Sequence, residues 1–317
     1  SALPPVWHNS TWVGDRVVDF LKRHHDRPFC LWASFPDPHH PFDAPEPWGR
    51  MYHPDEIVLP VHRRLDLERR PWWHRVAVEG KPKGPESLQK MRSGFTRIPT
   101  QDDARLRHII ANYYGMISLI DHNVGRILSA LHDLGLADDT LVIFTSDHGE
   151  WLGDHGLMLK GPMFYEGLAR VALVLRGPGV LSGKVVADPV STIDLFSTFT
   201  DYSGLCTQAT PHSVSLRPLL GKENAASRSY ARSEWCVSEQ RCGQELMLQC
   251  VRTRTHKLTL EQHSGAGELY DLCNDPFELE NRFADAGCRG VRRELEEMIA
   301  SRPRDMLEPR PRHVGSA

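Results

Sequence analysis

One apolar strand and the polar loop behind it constrain the fold of this chain most strongly. Residues 140–145 form a β-branched and apolar run without glycine or proline, and residues 137–139 before it form a polar turn. This pattern predicts a buried strand, which we interpret as parallel. Because ligands in open α/β sheets bind beyond the carboxyl ends of the strands, we expect the chemistry of this protein in residues 146–160.

The segments around this strand alternate between helix and strand. Apolar positions at helical spacing predict three helices, at residues 12–24, from near Thr100 to Leu134, and at residues 192–202. Two further apolar runs predict strands, at residues 29–35 and 171–176. Residues 43–99 show little periodicity, which indicates an irregular surface excursion. This alternation of predicted helices and strands is typical of an α/β fold with a mostly parallel sheet flanked by helices.

The pattern changes beyond Pro218. Short, half-polar runs at residues 246–253, 256–262 and 268–272 are separated by turns, and residues 291–300 have helical spacing. We therefore predict two domains: an α/β domain over residues 1–222, and a small C-terminal subdomain over residues 223–317 with an antiparallel sheet and one helix. Residues 302–317, rich in proline and arginine, are expected to fray.

Composition excludes several classes of protein. The formal net charge is −3, and lysines and arginines do not cluster at the density that nucleic-acid binding needs. No apolar stretch approaches the roughly 20 residues that span a bilayer. The seven cysteines include no Cys-x-x-Cys pair, so we interpret them as scattered thiols. A cytoplasmic and a periplasmic or secreted location both stay open, because an export signal would precede residue 1; so does the oligomeric state.

The loop after the strand has the composition of an anion-handling metal site. Asp147 and His148 are suitable ligands for a divalent cation. By themselves they would also suit a simple turn at a strand end. A second Asp-His-Gly sequence that includes His155, followed by Lys160, favours the functional interpretation, because an ammonium group can balance the charge of a bound oxyanion.

A second polar loop, residues 36–41, follows the predicted strand 29–35. Its three prolines exclude a helix and predict a stiff, extended loop that carries His39 and His40. Such histidines are often merely exposed. Beside Lys160, however, His39 could contact an oxyanion or give a proton to a leaving group. Glu150 is either a support for the metal pair or a solvated side chain.

Taken together, these motifs resemble the sulfatase family of the alkaline-phosphatase-like superfamily over nearly the whole chain. Residues 146–160 are similar to its metal-and-lysine segment, and residues 35–41 to its Pro-His-x-Pro loop. Further segments that are similar in sequence to segments of the family follow in the same order, at residues 191–195, 215–220, 268–272, 275–276 and 280–281. The resemblance implies Asp147 and His148 as metal ligands, Lys160 and His39 as catalytic and sulfate-contacting residues, and His155 as a weaker substrate contact.

The resemblance also implies a cofactor and a nucleophile. The family hydrolyses sulfate esters with a formylglycine made from the first residue of a Cys/Ser-x-Pro-x-Arg motif, while one divalent cation holds the sulfate. Calcium is the expected ion, with manganese and magnesium as alternatives. No such motif occurs in this chain, and the family's paired aspartates have no counterpart before Phe29. The chain therefore resembles the downstream two-thirds of a sulfatase, with the N-terminal part of the sheet absent.

Three hypotheses about function follow. A parent protein would hydrolyse a small-molecule sulfate ester, and its missing strand would dock against residues 29–35 or 140–145. Alternatively, the parent would be a phosphodiester or phosphonate monoester hydrolase of the same superfamily, although one lysine and one metal half-site favour sulfate over the more highly charged phosphate. If the chain is complete, it would be an inactive or anion-binding remnant, with an exposed strand edge as an aggregation liability.

Overall fold

The structure, a computed structural model, describes residues 3–63, 65–81, 83–87, 89–90, 102–205, 212–221 and 228–303. Its α-helices are α1 (Asn9–His24), α2 (Trp72–Glu79), α3 (Asp103–Asp133), α4 (Glu166–Ala169), α5 (Asp194–Tyr202), α6 (Arg217–Leu220), α7 (Glu239–Cys242) and α8 (Arg289–Ala300). Its strands are β1 (Val142–Thr145), β2 (Leu173–Arg176), β3 (Ala231–Val237), β4 (Leu246–Arg252), β5 (His256–Glu261) and β6 (Gly267–Asp271). Short 3-10 helices lie at Pro5–Trp7, Trp48–Arg50, Pro54–Glu56, Asp154–Gly156 and Ala286–Cys288.

The chain forms two compact units. The first comprises Ser1–Asp66, Ser93–Lys160 and Arg170–Pro178, and the second comprises Leu67–Arg92, Gly161–Ala169 and Gly179–Ala317. The predicted domain boundary at residues 222–223 lies outside the described residues. Within the described residues, no helix is both long enough and apolar enough to cross a bilayer.

The long helix α3 organises the first unit. Its N-terminus is capped by Asp102, whose carboxylate accepts a hydrogen bond from the Arg105 amide at 2.8 Å. Gly135, at φ +70°, follows its C-terminus, as a left-handed residue commonly does after a helix. The predicted helix is confirmed over Asp103–Asp133, whereas Thr100 lies outside the described residues.

Helix α1 packs against the C-terminal half of α3. Val17 and Leu21 share a core cluster with Ala130 and Leu131. The two helices approach closely at Gly14, where a Cβ atom would lie 2.4 Å from the Asn123 side-chain oxygen. Polar contacts lie beside this crossing, since Arg126 bonds both Asn123 and Asp15. The helix predicted at residues 12–24 is thus confirmed, and it begins three residues earlier than expected.

The N-terminal half of α3 supports the loop after β1. Leu106 and Ile110 form a cluster with Ile57 and Leu59, and Leu152 and Met158 from the loop pack against it. Burying each of these large aliphatic side chains stabilises the unit by roughly 1.5–3 kcal/mol. The loop therefore rests on a packed apolar base.

The parallel strand predicted at residues 140–145 is wrong in its direction. β1 pairs antiparallel with β2, and Phe144 lies opposite Val174. These two side chains are 42% and 62% exposed, so the run is not covered on both faces in the part of the chain that the structure describes. The apolar pattern indicates a strand, but it contains no information on the direction of the partner.

The strand predicted at residues 29–35 has no ladder partner among the described residues, although its backbone is extended. Phe29 and Ala33 pack against the α1–α3 cluster, whereas Trp32 is 89% exposed. Leu31, two residues from each of Phe29 and Ala33, is also 40% exposed, so the alternation of a strand is incomplete. A ladder requires a second strand, which periodicity cannot supply.

The second unit contains a four-stranded antiparallel sheet in the order β3-β4-β5-β6. Helix α8 covers one face, where Leu295 and Ile299 pack on Val251, Leu258 and Leu269. This confirms the predicted antiparallel sheet and its helix. Strand β3, which pairs with β4 from Ala231 to Val237, was not predicted. Residues 304–317, most of the tail that was expected to fray, lie outside the described residues.

The excursion predicted at residues 43–99 is more regular than expected. Trp73 and His74 on α2 are almost fully buried. Trp73 joins a core cluster of the second unit together with Leu246 and Leu248. The prediction of a purely irregular surface segment is therefore wrong for α2, because a short helix can be amphipathic without a long periodic signal. Residues 91–99 lie outside the described residues.

Candidate active site

Asp147 and His148, the predicted metal ligands, follow β1 directly. The Asp147 Oδ1 atom accepts a hydrogen bond from the His148 amide at 2.8 Å. The His148 Nδ1 atom lies 2.7 Å from the Gly149 carbonyl oxygen. Since a carbonyl only accepts, Nδ1 carries the proton and Nε2 of the neutral ring has a free lone pair. This is the orientation that metal-ligating histidines usually adopt.

These two donors fit a cation. Asp147 Oδ2 and His148 Nε2 lie 3.7 Å apart, which is less than the sum of two metal–ligand distances of roughly 2.3–2.6 Å. The Asp147 side chain is 87% exposed, and the His148 side chain is 34% exposed. No group of three or more His, Cys, Asp or Glu side chains within the described ranges is arranged to hold a metal ion. The role of the pair as metal ligands therefore stays a prediction.

The loop from Glu150 to Lys160 folds back on itself. The Trp151 amide donates to the Leu159 carbonyl at 3.3 Å, and the Gly153 amide donates to the Leu157 carbonyl at 2.8 Å. This closure brings the two ends of the loop, Glu150 and Lys160, beside each other.

The fold-back requires an unusual backbone. Leu152, His155 and Leu159 have positive φ angles between 46° and 65°, and such residues cost about 1–3 kcal/mol each. At Gly156, φ is +73° and a Cβ atom would lie 2.5 Å from the Leu65 backbone nitrogen. The surrounding packing thus determines a strained conformation, which is common at functional sites.

The electrostatics of Glu150 reflect this enclosure. Burial raises the pKa of Glu150 to about 7, although backbone hydrogen bonds and the charge of Lys160 oppose the increase. The neighbouring Tyr113 on α3 is also perturbed, since burial and then the charge of Glu150 raise its pKa to about 12. Glu150, Tyr113 and Lys160 therefore form one polar cluster, so Glu150 is not a merely solvated side chain.

The second loop brings two histidines to this cluster. The rings of His39 and His40 stack with centroids 4.0 Å apart, and the His40 ring meets Phe42 edge-on. Burial, followed by the charges of His39 and Lys160, lowers the pKa of His40. The charge of Lys160 thus reaches His40, while the predicted joint role of Lys160 and His39 stays a prediction. The loop is not extended, because the His39 amide donates to the Pro36 carbonyl at 3.2 Å and closes a turn.

The structure does not bring every predicted site residue together. Among the hydrogen bonds and ion pairs between described residues, none joins Asp147 or His148 to His39 or Lys160. His155 is only 5% exposed, and its backbone amide donates to the His62 carbonyl at 2.7 Å. Its predicted contact with substrate stays a prediction, while the structure gives it a position inside the loop.

Sequence reasoning missed Tyr113 and Phe42. Tyr113 lies within the long predicted helix, where its hydroxyl group gives no separate signal. The Phe42 ring meets Tyr113 edge-on, with centroids 5.8 Å apart, and so connects the histidine loop to α3. The position of Phe42 directly after the proline-rich loop that carries the histidines could have indicated its contact with the long helix.

The elements described above form an α/β protein, and comparison with known proteins identifies its family. The family model described as "Sulfatase" matches residues 7–205, and a model described as "N-sulphoglucosamine sulphohydrolase, C-terminal" matches residues 153–305. The chain belongs to the sulfatase family, within the alkaline-phosphatase-like superfamily.

Individual relatives agree with this assignment. The chain is 29% identical over 279 residues to an arylsulfatase of Clostridium perfringens, which covers 86% of this chain and 53% of the relative. It is 30% identical over 267 residues to a choline-sulfatase of Rhizobium meliloti, covering 80% and 46%. The solved phosphonate monoester hydrolase of Agrobacterium radiobacter is 30% identical with a TM-score of 0.78, covering 95% of this chain and 61% of that one. The chain thus spans about half the length of the curated relatives it matches.

Proposed function

We propose that the polypeptide carrying this sequence hydrolyses sulfate esters of small molecules with the help of a divalent cation. The observation that carries the proposal is that one closed loop follows the Asp147–His148 donors and ends at Lys160, whose charge acts on His40, the ring that stacks on His39. Cationic groups near a metal half-site are what a bound sulfate requires. The sulfatase relatives support the same reaction.

In this proposal Asp147 and His148 hold the cation, through Oδ2 and Nε2 respectively. The cation, for which calcium is expected and manganese or magnesium are alternatives, would polarise the sulfate oxygens. Oxygen and imidazole donors together accept any of these ions. The remaining ligands would come from residues other than the described groups of this chain.

Lys160 supplies a fixed positive charge to the sulfate. It sits at the end of a strained, closed loop, so little reorganisation is needed when charge develops in the transition state. Burial raises the pKa of Glu150, at the other end of the loop, to about 7, so this carboxyl neutralises Lys160 only in part at neutral pH. Preorganisation of this kind is usually a large contribution to catalysis.

His39 contacts the sulfate or the leaving group. Its Nδ1 atom lies 2.7 Å from the His40 carbonyl oxygen, so Nδ1 carries a proton and Nε2 is the atom that can face a substrate. When Nε2 is also protonated, His39 can give that proton to the departing oxygen. His39 is exposed, as such a contact requires.

The nucleophile is expected outside these 317 residues. None of the seven cysteines, and no serine, begins a Cys/Ser-x-Pro-x-Arg motif. A formylglycine made from such a residue would complete the site in the whole polypeptide.

A second candidate is hydrolysis of phosphonate monoesters or phosphodiesters. The phosphonate monoester hydrolase of Agrobacterium radiobacter, similar to this chain at 30% identity, favours it. Charge does not distinguish the two, because a sulfate monoester, a phosphonate monoester and a phosphodiester each carry one negative charge at neutral pH. The arylsulfatase and choline-sulfatase relatives favour sulfate. An inactive remnant that binds anions is the third hypothesis.

Relative turnover of two matched substrates tests the proposal. The whole polypeptide would be assayed with an aryl sulfate and with the phosphonate monoester of the same phenol, each in the presence of calcium or manganese. We expect a larger kcat/KM for the sulfate. A larger kcat/KM for the phosphonate would favour the second candidate, and no turnover of either would favour the remnant.

A further inference from the structure

A polar cluster at the start of α1 lies outside the residues discussed so far. The Ser10 hydroxyl donates a hydrogen bond to Asp37 Oδ2, and His8 Nδ1 lies 3.4 Å from the same oxygen. Ser10 is completely buried, and the His8 and Asp37 side chains are only 11% and 10% exposed. A buried carboxylate with two polar neighbours is costly unless those contacts are made. The cluster is therefore a built feature of the first unit.

The cluster is not a catalytic triad, although it contains a serine, a histidine and an aspartate. A nucleophilic serine would donate its proton to the histidine, and the aspartate would orient that histidine. Here the Ser10 hydroxyl donates to Asp37 instead. A serine that is 0% exposed also cannot reach a substrate. The three residues must have another role.

Asp37 lies in the turn that carries His39. The turn runs from Pro36 to His39, and it is closed by the 3.2 Å hydrogen bond between the His39 amide and the Pro36 carbonyl. Asp37 is its second residue, and only Pro38 separates it from His39. Because proline fixes its own φ angle, few degrees of freedom lie between the Asp37 side chain and the His39 ring.

The hydrogen bond from Ser10 to Asp37 anchors this turn, and the Ser10 end of this anchor is rigid. Ser10 lies in the first turn of α1, a helix of 16 residues that packs on α3 through Val17 and Leu21. Asp15 on α1 also pairs with Arg126 on α3 at 2.5 Å. The hydrogen bond from Ser10 to Asp37 thus connects the turn to the core of the unit.

We propose that Ser10 and Asp37 are positioning residues that set the location of His39 through this buried hydrogen bond, a role that rests on the function proposed above for His39. Displacing a catalytic group by about 1 Å can cost roughly 100-fold in rate. Loss of the anchor should therefore reduce the contribution of His39 without removing any group that touches the substrate.

A double-mutant cycle in the whole polypeptide tests this inference, with aryl sulfates of rising leaving-group pKa as substrates. Ser10→Ala should lower kcat by roughly 10- to 100-fold, and more for the poorer leaving groups, with KM nearly unchanged. In a His39→Ala background, the same substitution should have almost no further effect. Asp37→Asn, which keeps an oxygen acceptor for Ser10, should retain part of the activity that Asp37→Ala loses.

The matched control is Ser34→Ala, an exposed serine three residues before the turn residue Asp37, which should leave kcat unchanged. Equal losses from Ser10→Ala with and without His39 would overturn the inference, since they would show a general structural role. Wild-type kcat in Ser10→Ala would overturn it as well.

A second measurement does not depend on turnover, so it separates this inference from the proposed function. In the whole polypeptide, hydrogen exchange of the His39 amide should be faster in Ser10→Ala than in wild type and Ser34→Ala, measured at a temperature at which all three proteins remain folded. If exchange is unchanged, Ser10 does not hold the turn, whatever the substrate of the enzyme. If exchange is faster while sulfate esters are not hydrolysed, the anchor stands and the proposed function fails.

Discussion

The Oδ2 atom of Asp147 and the Nε2 atom of His148 lie 3.7 Å apart, on two adjacent residues that follow β1. Two backbone contacts produce this geometry: the His148 amide binds Asp147 Oδ1, and the Gly149 carbonyl binds His148 Nδ1. The two remaining donor atoms are thus close together. In the proposed function, this geometry would reduce the reorganisation needed when a cation binds.

Asp147→Asn should abolish specific broadening of the His148 ring signals by Mn²⁺ in the 317-residue chain. The substitution removes the charge of one donor while keeping the shape of the side chain, and loss of even an outer-shell partner typically costs 10–100-fold in metal affinity. Paramagnetic relaxation measured by NMR would give the apparent affinity of both proteins.

The chain offers a matched control in its second Asp-His-Gly sequence. Asp154 and His155 have a similar separation of 3.9 Å, but the His155 side chain is only 5% exposed. Asp154→Asn should leave the broadening at His148 intact. Equal losses in both variants would argue against a metal site at Asp147.

Lys257→Met should lower the free energy of unfolding of the second unit by about 3–5 kcal/mol. The Lys257 ammonium lies 3.1 Å from Glu166 and also contacts Glu278, and its side chain is 3% exposed. Burial would lower the pKa of Lys257, but the two carboxylates outweigh it and raise the pKa. Removing the ammonium leaves both carboxylates without this counter-charge.

Urea unfolding followed by circular dichroism would measure the loss. Lys83→Met is the control, because the Lys83–Glu239 pair in the same unit is more than half exposed and such pairs contribute at most about 1 kcal/mol. Adding Glu278→Gln to Lys257→Met should recover part of the loss. Equal effects of Lys257→Met and Lys83→Met would show that the buried cluster contributes no more than a surface pair.

Glu268→Gln should change how stability depends on acidity. The carboxylate is 2% exposed and lies 3.2 Å from His74 Nε2, and it accepts a hydrogen bond from the Tyr270 hydroxyl at 2.8 Å. Burial alone would raise the pKa of Glu268, but His74, Tyr270 and Arg70 outweigh it and the pKa is lowered from 4.5. The ionised form is therefore favoured by folding.

The direction in which the free energy of unfolding changes with pH follows from the linkage between protonation and folding. A lowered pKa contributes stability that is present above pH 4.5 and is lost as the pH falls through the folded-state pKa. Wild type should exceed Glu268→Gln by roughly 1–3 kcal/mol at pH 7, and the difference should shrink below pH 4.5. Thermal unfolding between pH 3 and pH 7 would show a constant difference if Glu268 were not ionised in the folded chain.

Periodicity predicted the elements that are long and amphipathic. In helix α3, helix α8 and strands β4 to β6, apolar residues recur at the period of the helix or strand itself. The existence of these elements could therefore be predicted. The direction of β1 could not, because an apolar run is the same for a parallel and an antiparallel partner. Strand β3 was not predicted because it contains charged residues such as Arg232 and Glu234. These residues interrupt the apolar pattern that would indicate a strand.

The candidate site, too, has some features that the sequence predicts and others that it does not. The residue types of Asp147, His148 and Lys160 indicated their chemistry, since few structural roles require them in one loop. The proximity of Glu150 to Lys160 depends on a fold-back with positive φ at Leu152 and Leu159, which no local propensity predicts. Tertiary packing against α3 determines that conformation, so it could be found only in the structure.

The 317-residue chain by itself should not turn over an aryl sulfate, with or without added calcium or manganese. It contains no Cys/Ser-x-Pro-x-Arg motif and so no precursor of a formylglycine. A sensitive fluorescent aryl sulfate and a Lys160→Ala control would exclude contaminating activity. Turnover that depends on Lys160 would show that another group in this chain acts as the nucleophile.

The central claim, that Lys160 and His39 act on a sulfate ester, is tested most directly by the kcat/KM of the whole polypeptide for an aryl sulfate. Lys160→Ala and His39→Ala should each lower it by roughly 100-fold or more, as expected for the loss of one partner of the transition-state charge. Wild-type kcat/KM in both variants, at equal metal content, would contradict the claim.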